Sequence, residues 1–278
     1  MATLLDGKAL AAKVKEQVRA EAEGLRAGLA VVLVGDNPAS QIYVRGKERD
    51  CGECGIQSFT HRLPAETTQT ELLRLLDQLN GDGRVDGILV QLPLPGHLDA
   101  RQVLEAIRPD KDVDCFHPLN VGRMTLGREG FRPCTPAGVM ELLAAYDIPV
   151  RGRRCAVIGR SSLVGQPLAT LLTQADGTVS LCHSKTPDLA AYTREADILV
   201  SAVGRPGLVT AEIVKPGAAV IDVAMNRGAD GSLSGDVDFG PVFEKAAFLT
   251  PVPGGVGPMT RAMLMRSVLY AAKQHRLG

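Results

Sequence analysis

The sequence carries no excess charge of either sign: lysine plus arginine and aspartate plus glutamate both number 31, for a formal net charge of zero. That balance, with no basic run to concentrate positive charge locally, speaks against a nucleic-acid partner. Long hydrophobic runs are also missing. No apolar segment approaches the roughly 18 residues that span a bilayer, so no membrane role is expected. The opening MATLLDGKAL places an acid and a lysine where an export signal needs an apolar core, and a cytoplasmic location is expected. Six cysteines, Cys51, Cys54, Cys115, Cys134, Cys155 and Cys182, are scattered, which without an export signal points to free thiols. Cys51 and Cys54 have Cys-x-x-Cys spacing, but no second pair follows. His61 alone does not complete a ligand set, so no metal is expected. What remains is a chain of 278 residues, 45% hydrophobic and 22% charged, enough for one large or two medium packed domains.

Strand and helix patterns alternate. A helix is expected over about Gly7 to Ala27 and a buried strand over Leu29–Val34, ending at Gly35. A second helix from about Ala39 follows, then a strand near 56–62, a helix near 66–80 and a strand at 85–92. A second alternating unit begins near Arg153, with strands at 155–158, 178–182, 197–202, 218–223 and 248–250. Residues 109–136, rich in proline, read as loop, and a last helix covers about 260–275. This alternation predicts an α/β fold of two domains around a cleft. The second domain is expected to be a Rossmann-like, doubly wound parallel sheet, and the last helix to return to the first domain. The ranges are 1–134 plus 260–278 and 139–258. Ligands of such sheets bind beyond the carboxyl ends of the strands.

Five places have the residue types for chemistry. On the second helix Ser40, Tyr43 and Lys47 fall at i, i+3 and i+7, one face offering a hydroxyl, a ring and an amine. Gly46 beside the lysine weakens the helix but lets another group come close. By spacing alone the favoured reading is a solvated surface lysine with the tyrosine packed under it. Gly159-x-Ser161-x-x-x-Gly165 follows a strand and opens a helix, the setting in which backbone amides cradle a pyrophosphate. The next strand ends in Cys182-His183-Ser184-Lys185, with no acid to grip the ribose hydroxyls of NAD. Arg160 and Ser184 suit a 2′-phosphate, so NADP is favoured. Lys111-Asp112-Val113-Asp114 offers two carboxylates. Either both are solvated, or Asp114 takes paired hydrogen bonds from a planar aminopyrimidine-like group. Pro251–Thr260 is a glycine-rich loop that leaves backbone amides bare.

Taken in order, these motifs resemble the bifunctional methylenetetrahydrofolate dehydrogenase/methenyltetrahydrofolate cyclohydrolase family over nearly the whole chain. The likeness rests on Ser40-x-x-Tyr43-Val44-x-x-Lys47, Gln91-Leu92-Pro93-Leu94-Pro95 and Pro109-x-Lys111-Asp112-Val113-Asp114. It continues through Pro133-Cys134-Thr135-Pro136-x-Gly138, Gly159-Arg160-Ser161, Cys182-His183-Ser184, Gly235-Asp236-Val237-Asp238-Phe239 and Pro251–Thr260. Cys115 and Ala224 stand where the family usually has glycine, and Arg49 replaces a usual lysine.

The resemblance implies an NADP-dependent oxidation of methylenetetrahydrofolate followed by hydrolysis of the methenyl product. Lys47 is the implied catalytic lysine, Gln91 the group that helps set its state, Tyr43 the ring that stacks on folate and Asp114 the holder of the pterin. Val90, Leu92 and the loop Pro253, Gly254, Gly255, Val256 and Gly257 complete the implied folate site. Gly159, Arg160, Ser161, Val164, Gly165, Ser184 and Met225 are the implied NADP site. Tetrahydrofolate derivatives as substrate and a homodimer follow from the same likeness. The alternatives are a family member with one activity, another two-domain NAD(P) enzyme, or a nucleotide-binding sensor without turnover.

Overall fold

The computed structural model describes residues 1–228 and 230–277. In chain order its elements begin with β1 (Thr3–Leu4), α1 (Gly7–Ala22), β2 (Gly28–Val34), α2 (Pro38–Glu53), β3 (Gln57–Leu63), α3 (Gln69–Gly81) and β4 (Gly87–Val90). Next come α4 (Ala100–Glu105), α5 (Pro118–Thr125), α6 (Cys134–Ala145), β5 (Arg154–Ile158), α7 (Gly165–Gln174), β6 (Thr178–Cys182) and α8 (Leu189–Thr193). The rest are β7 (Ile198–Ser201), β8 (Ala219–Asp222), β9 (Asn226–Arg227), β10 (Leu233–Ser234), α9 (Phe239–Lys245), β11 (Phe248–Leu249) and α10 (Val256–Leu277). The chain divides into two compact units. One holds Ala12–Cys134 with the residues from Arg261 on; the other holds Met1–Ala11 with Thr135–Thr260. The first eleven residues therefore group with the second range expected from the sequence, not the first. The reason is β1, which pairs in parallel with β11, Thr3 opposite Phe248. Positions 229 and 278, inside the expected ranges, lie outside the described residues.

The three-stranded unit is built on β2, whose seven residues GLAVVLV are all buried. Buried on both faces, it has parallel neighbours on each side, β3 and β4, with Val32 opposite His61 and Val90. The route β2–α2–β3–α3–β4 with β2 central reverses direction between β2 and β4. The crevice for a ligand opens at that reversal, beyond the strand ends. Helix α3 covers this sheet through Leu72, Leu76 and Leu79. It starts at a capping box in which Thr68 and Glu71 satisfy each other's backbone N–H. At its other end the buried Lys111 ammonium donates to Leu79 O at 3.1 Å and Asp82 O at 2.8 Å. A cation there satisfies orphan carbonyls and opposes the helix dipole.

The six-stranded unit has the order β1-β11-β8-β7-β5-β6, every pair parallel. From β5 the chain winds one way to β6, then crosses back to β7 on the other side. This is the doubly wound pattern, with its switch point between β5 and β7. Its core gathers Ala156, Ile158, Leu199, Val220 and Leu249.

The region 109–136, expected as loop, contains α5 and the start of α6. Pro118 occupies the first turn of α5, behind His117, whose ring nitrogen accepts from Leu119 N at 3.1 Å. Proline is tolerated there because the first helical N–H groups have no intrahelical partner. Helix α1 stops at Ala22, short of the expected Ala27, because Gly24 and Arg26 adopt φ of 80° and 50°.

Candidate active site

Lys47 sits in the third turn of α2. Asn37 caps that helix, accepting from Ala39 N at 3.0 Å and Ser40 N at 3.1 Å, and Pro38 opens it. Lys47 Nζ donates to Gln91 Oε1 at 2.9 Å. Gln91 is the first residue past β4, and its backbone N–H donates to Val32 O at 2.8 Å. Its side-chain Nε2 donates to Leu92 O at 2.7 Å, which fixes the amide so that Oε1 faces the lysine. The lysine and glutamine thus meet at the β2/β4 reversal.

Burial pushes the Lys47 ammonium below the usual lysine range, and the Asp114 carboxylate pulls the other way without restoring it. Asp114 is pushed up by burial, against the pull of Lys47 and with a further push from Asp112. Both charges are disfavoured by the same low-dielectric setting, which shifts Lys47 toward its neutral form. Asp112 has a different task. Buried, it accepts from Phe116 N at 3.1 Å, His117 N at 2.9 Å and Asn120 Nδ2 at 2.8 Å, and so shapes the segment that presents Asp114. Cys134, at the start of α6, lies in the field of both Lys47 and Asp114, and burial pushes its thiol far up. Tyr43 is exposed on α2, Val90 is buried in β4 and Leu92 is half-buried. Cys51 and Cys54 are fully buried, with burial pushing them up to about 12 and about 11. Such thiols are inert. No group of three or more potential metal ligands occurs among the described residues.

In the six-stranded unit the β5–α7 turn has the shape of an anion cradle. Gly159 has φ of 111°, and a Cβ there would stand 2.5 Å from Ala202 O, just after β7. Gly165 opens α7, and a Cβ on it would meet Gly159 O at 1.9 Å. Ser161 Oγ accepts from Val164 N at 3.2 Å, holding the turn in place. Arg160 and Ser161 are exposed, and Val164 is half-exposed. Ser184 and Lys185 are exposed after β6, in a turn closed by His183 N to Thr186 Oγ1 at 2.9 Å.

Sequence reasoning missed the part played by Asp236. Its fully buried carboxylate accepts from Ser201 Oγ at 2.7 Å, from the N–H groups of Val203 at 3.0 Å, Gly204 at 3.2 Å and Arg205 at 2.6 Å, and from Asn226 Nδ2 at 3.3 Å. The loop after β7, at the switch point, is fastened by this one side chain. Gly235 before it is equally constrained, since a Cβ would fall 1.9 Å from Asp222 Oδ2. Met225, exposed after β8, has its Cε 3.2 Å from where a Cβ of Gly257 would be. In the loop 253–257, Gly254 has φ of 112° and Gly255 is packed over Pro251 and Thr250. That loop is held from the N-terminus. Lys8 N donates to Gly254 O at 2.9 Å, and a Cβ on Gly7 would meet Gly255 O at 1.8 Å.

These features define a class: an α/β enzyme with a dinucleotide-type glycine turn in one unit and a desolvated, amide-held lysine in the other. Comparison narrows it. A family model described as tetrahydrofolate dehydrogenase/cyclohydrolase, NAD(P)-binding domain, matches residues 133–276, and its catalytic-domain counterpart matches residues 5–114. The bifunctional protein FolD of Magnetococcus marinus is 55% identical over 280 residues, covering 99% of this chain and 98% of that protein. The solved structure of the bifunctional FolD methylenetetrahydrofolate dehydrogenase/cyclohydrolase of Campylobacter jejuni is 52% identical, with a TM-score of 0.97 and 99% of each chain covered. The Trypanosoma brucei dehydrogenase-cyclohydrolase, solved with NADP cofactor and inhibitor, is 41% identical, with a TM-score of 0.94 and 98% of each chain covered. The chain belongs to the tetrahydrofolate dehydrogenase/cyclohydrolase family.

The three departures from the family pattern have local accounts. Cys115 takes φ of 60°, where glycine is at ease, and its thiol donates to Phe131 O at 3.3 Å. Ala224 donates its N–H to Asp222 Oδ1 at 3.2 Å. Arg49 is exposed and pairs with Glu53 at 3.6 Å.

Proposed function

We propose that the chain oxidises 5,10-methylenetetrahydrofolate to 5,10-methenyltetrahydrofolate with NADP and hydrolyses that product to 10-formyltetrahydrofolate, with Lys47 as the proton acceptor of the second step. The observation that carries the lysine's role is the 2.9 Å bond from Lys47 Nζ to a fixed Gln91 Oε1, in a setting that favours the neutral amine. Neutral Lys47 keeps one N–H on Gln91 and turns its lone pair to the water that attacks the methenyl carbon. One proton of the water passes to Nζ, giving a carbinolamine; its remaining O–H proton ends on the nitrogen whose C–N bond breaks, so the carbonyl forms and the formyl group stays on the other nitrogen. Asp114 receives two N–H donors of the pterin's aminopyrimidine edge, which favour its ionised form and fix the ring. Tyr43 stacks on that ring, with Val90 and Leu92 of the same unit beside it.

The glycine turn suits a pyrophosphate, because glycine at 159 and 165 lets the turn pack tightly against Ala202 and on itself ahead of the N-terminus of α7. Arg160 and Ser184 would hold the 2′-phosphate, and Ser161, Val164 and Met225 would line the rest. The chemistry supplied by bound NADP is that of a hydride acceptor for the methylene carbon. No helix among the described residues is long and apolar enough to cross a membrane. The working form we favour is a cytoplasmic homodimer, which light scattering of the purified protein tests. For the mechanism, both activities of Lys47→Met are assayed. Cyclohydrolase turnover should fall at least about a hundredfold and hydride transfer should fall less. Wild-type-like cyclohydrolase turnover in the folded variant would sink the assignment.

A further inference from the structure

One peptide of the six-stranded unit joins the Asp236 network to the glycine turn. The N–H of Val203 donates to Asp236 Oδ2 at 3.0 Å, and the oxygen of the same peptide, on Ala202, lies 2.5 Å from where a Cβ of Gly159 would be. The next two peptides face the same way, Gly204 N donating to Oδ2 at 3.2 Å and Arg205 N to Oδ1 at 2.6 Å. Three successive amides turned to one anion form a nest, and here the anion is a side chain of the protein itself. These peptides are trans, so each carbonyl points opposite its N–H, and the oxygens of Ala202, Val203 and Gly204 are turned away from the carboxylate. The oxygens of Val203 and Gly204 accept no hydrogen bond among the described residues, and both residues are exposed while Asp236 is fully buried. Asp236 Oδ1 also accepts from Asn226 Nδ2 at 3.3 Å, which ties this loop to the segment after β8 that carries Met225. All of these residues belong to one unit.

We infer that Asp236 is a positioning residue for the nicotinamide half of NADP: by drawing three amides inward, it presents the oxygens of Val203 and Gly204 as acceptors for the hydroxyls of the nicotinamide ribose. The inference rests on the reading that places the 2′-phosphate at Arg160 and Ser184 and the pyrophosphate at the glycine turn. Those groups follow β6 and β5, and the strand order runs on from β6 through β5 to β7. A dinucleotide held at the first two carries its second ribose toward the end of β7, where residues 203–205 follow. That ribose offers hydroxyl donors, and a carbonyl oxygen can only accept. A carboxylate suits the task because both its oxygens accept. Oδ2 takes Ser201 Oγ and two amides, and Oδ1 takes Arg205 N and Asn226 Nδ2. An asparagine in its place turns an NH2 group on one of these sets of donors, and the peptides there lose their hold.

The test is calorimetric titration of the wild type and Asp236→Asn with NADP and with 2′,5′-ADP, which carries the 2′-phosphate but no nicotinamide ribose. Folding is checked by melting temperature and by cyclohydrolase turnover without NADP. In Asp236→Asn the Kd for NADP should rise at least about tenfold, while that for 2′,5′-ADP stays within about twofold of the wild type. A folded Asp236→Asn with the wild-type Kd for NADP overturns the inference. So does an equal loss for both ligands, which a loosening of the whole unit would give. Should Asp236→Asn not fold, Gly204→Ala takes its place. Gly204 has φ of 78°, which alanine resists, so the peptides on either side turn while the carboxylate remains. A rise of at least about threefold for NADP alone then supports the inference, and unchanged or equally weakened binding overturns it. Arg160→Ala titrated with 2′,5′-ADP separates the two readings. If that variant binds 2′,5′-ADP as tightly as the wild type, the placement of the 2′-phosphate falls and the inference with it. If it binds 2′,5′-ADP weakly while Asp236→Asn keeps the wild-type Kd for NADP, the inference alone falls.

Discussion

At the scale of single residues, chemistry is set by what each side chain is denied. Lys47 is denied much of its hydration, and Gln91 is denied rotation by its own bond to Leu92 O. The end of β6 is denied an acid: His183, Ser184 and Lys185 follow Cys182 where an NAD site would place a carboxylate. Arg160, exposed in the glycine turn, is the group we propose to decide cofactor choice. Replacing it should show this in kcat/KM. Arg160→Ala is expected to lower the value for NADP about tenfold or more and to leave that for NAD nearly unchanged, as loss of a charge-assisted contact to the 2′-phosphate requires. Equal losses with both cofactors would assign Arg160 to the pyrophosphate instead.

At the scale of elements, the end of α10 is the clearest case of one helix turn fastened by a buried charge. Asp86, just before β4, receives Arg276 at 2.7 and 3.0 Å, His275 Nδ1 at 3.0 Å and Gly28 N at 2.9 Å. Burial pushes its carboxyl up, but these donors outweigh that and hold it below the ordinary aspartate range. A carboxyl depressed on folding contributes stability that is present above its unfolded value near 4. That stability is lost as pH falls through the lower folded value. Asp86→Asn should therefore cost roughly 2–4 kcal/mol at pH 7 by denaturant melting. The gap to the wild type should narrow below about pH 4. A gap that stays constant on acidification would mean that shape, not charge, is what the substitution removes.

The elements were unevenly legible. Apolar runs announced β2, β4, β5 and β8, because strands buried on both faces read as unbroken hydrophobic stretches. Helices α5 and α6 were hidden by Pro118 and Pro136, which signal loops unless a first helical turn is recognised. β1 was hidden because two exposed residues make no pattern. For the site, Gly46 did signal a close approach, but nothing local could say that Arg261 makes it. Likewise, no spacing rule distinguishes Lys111, which caps α3, from Lys47, which faces Gln91.

At the scale of the whole molecule, the same sheet logic occurs twice. Each unit winds away from a central strand and reverses, at β2/β4 and at β5/β7, the place where sheets of this kind take their ligands. The lysine, glutamine and aspartate belong to one unit, the glycine turn and the Asp236 network to the other. Damage should therefore be separable by ligand. Asp114→Ala should weaken folate binding at least about tenfold in calorimetric titration while NADP binding stays as in the wild type. Gly235→Ala drives a methyl into the Asp222 carboxylate and should do the reverse, with an overpacking cost of about 1–3 kcal/mol. Loss of both ligands in either variant would show instead that the two units unfold together.

The contact of Gly7 with Gly255 changes how the first residues should be handled in the laboratory. Met1 is 88% exposed, and an affinity tag there disturbs only the exposed ion pair of its amino group with Glu244 at 3.9 Å. Trimming the chain past Thr3 is another matter. It removes the strand partner of Phe248, then the Lys8 amide that holds Gly254 and the bare backbone that fits under Gly255. A shortened protein would lose the support of loop 253–257 before it lost its fold, and its defect would be misread as a defect of catalysis.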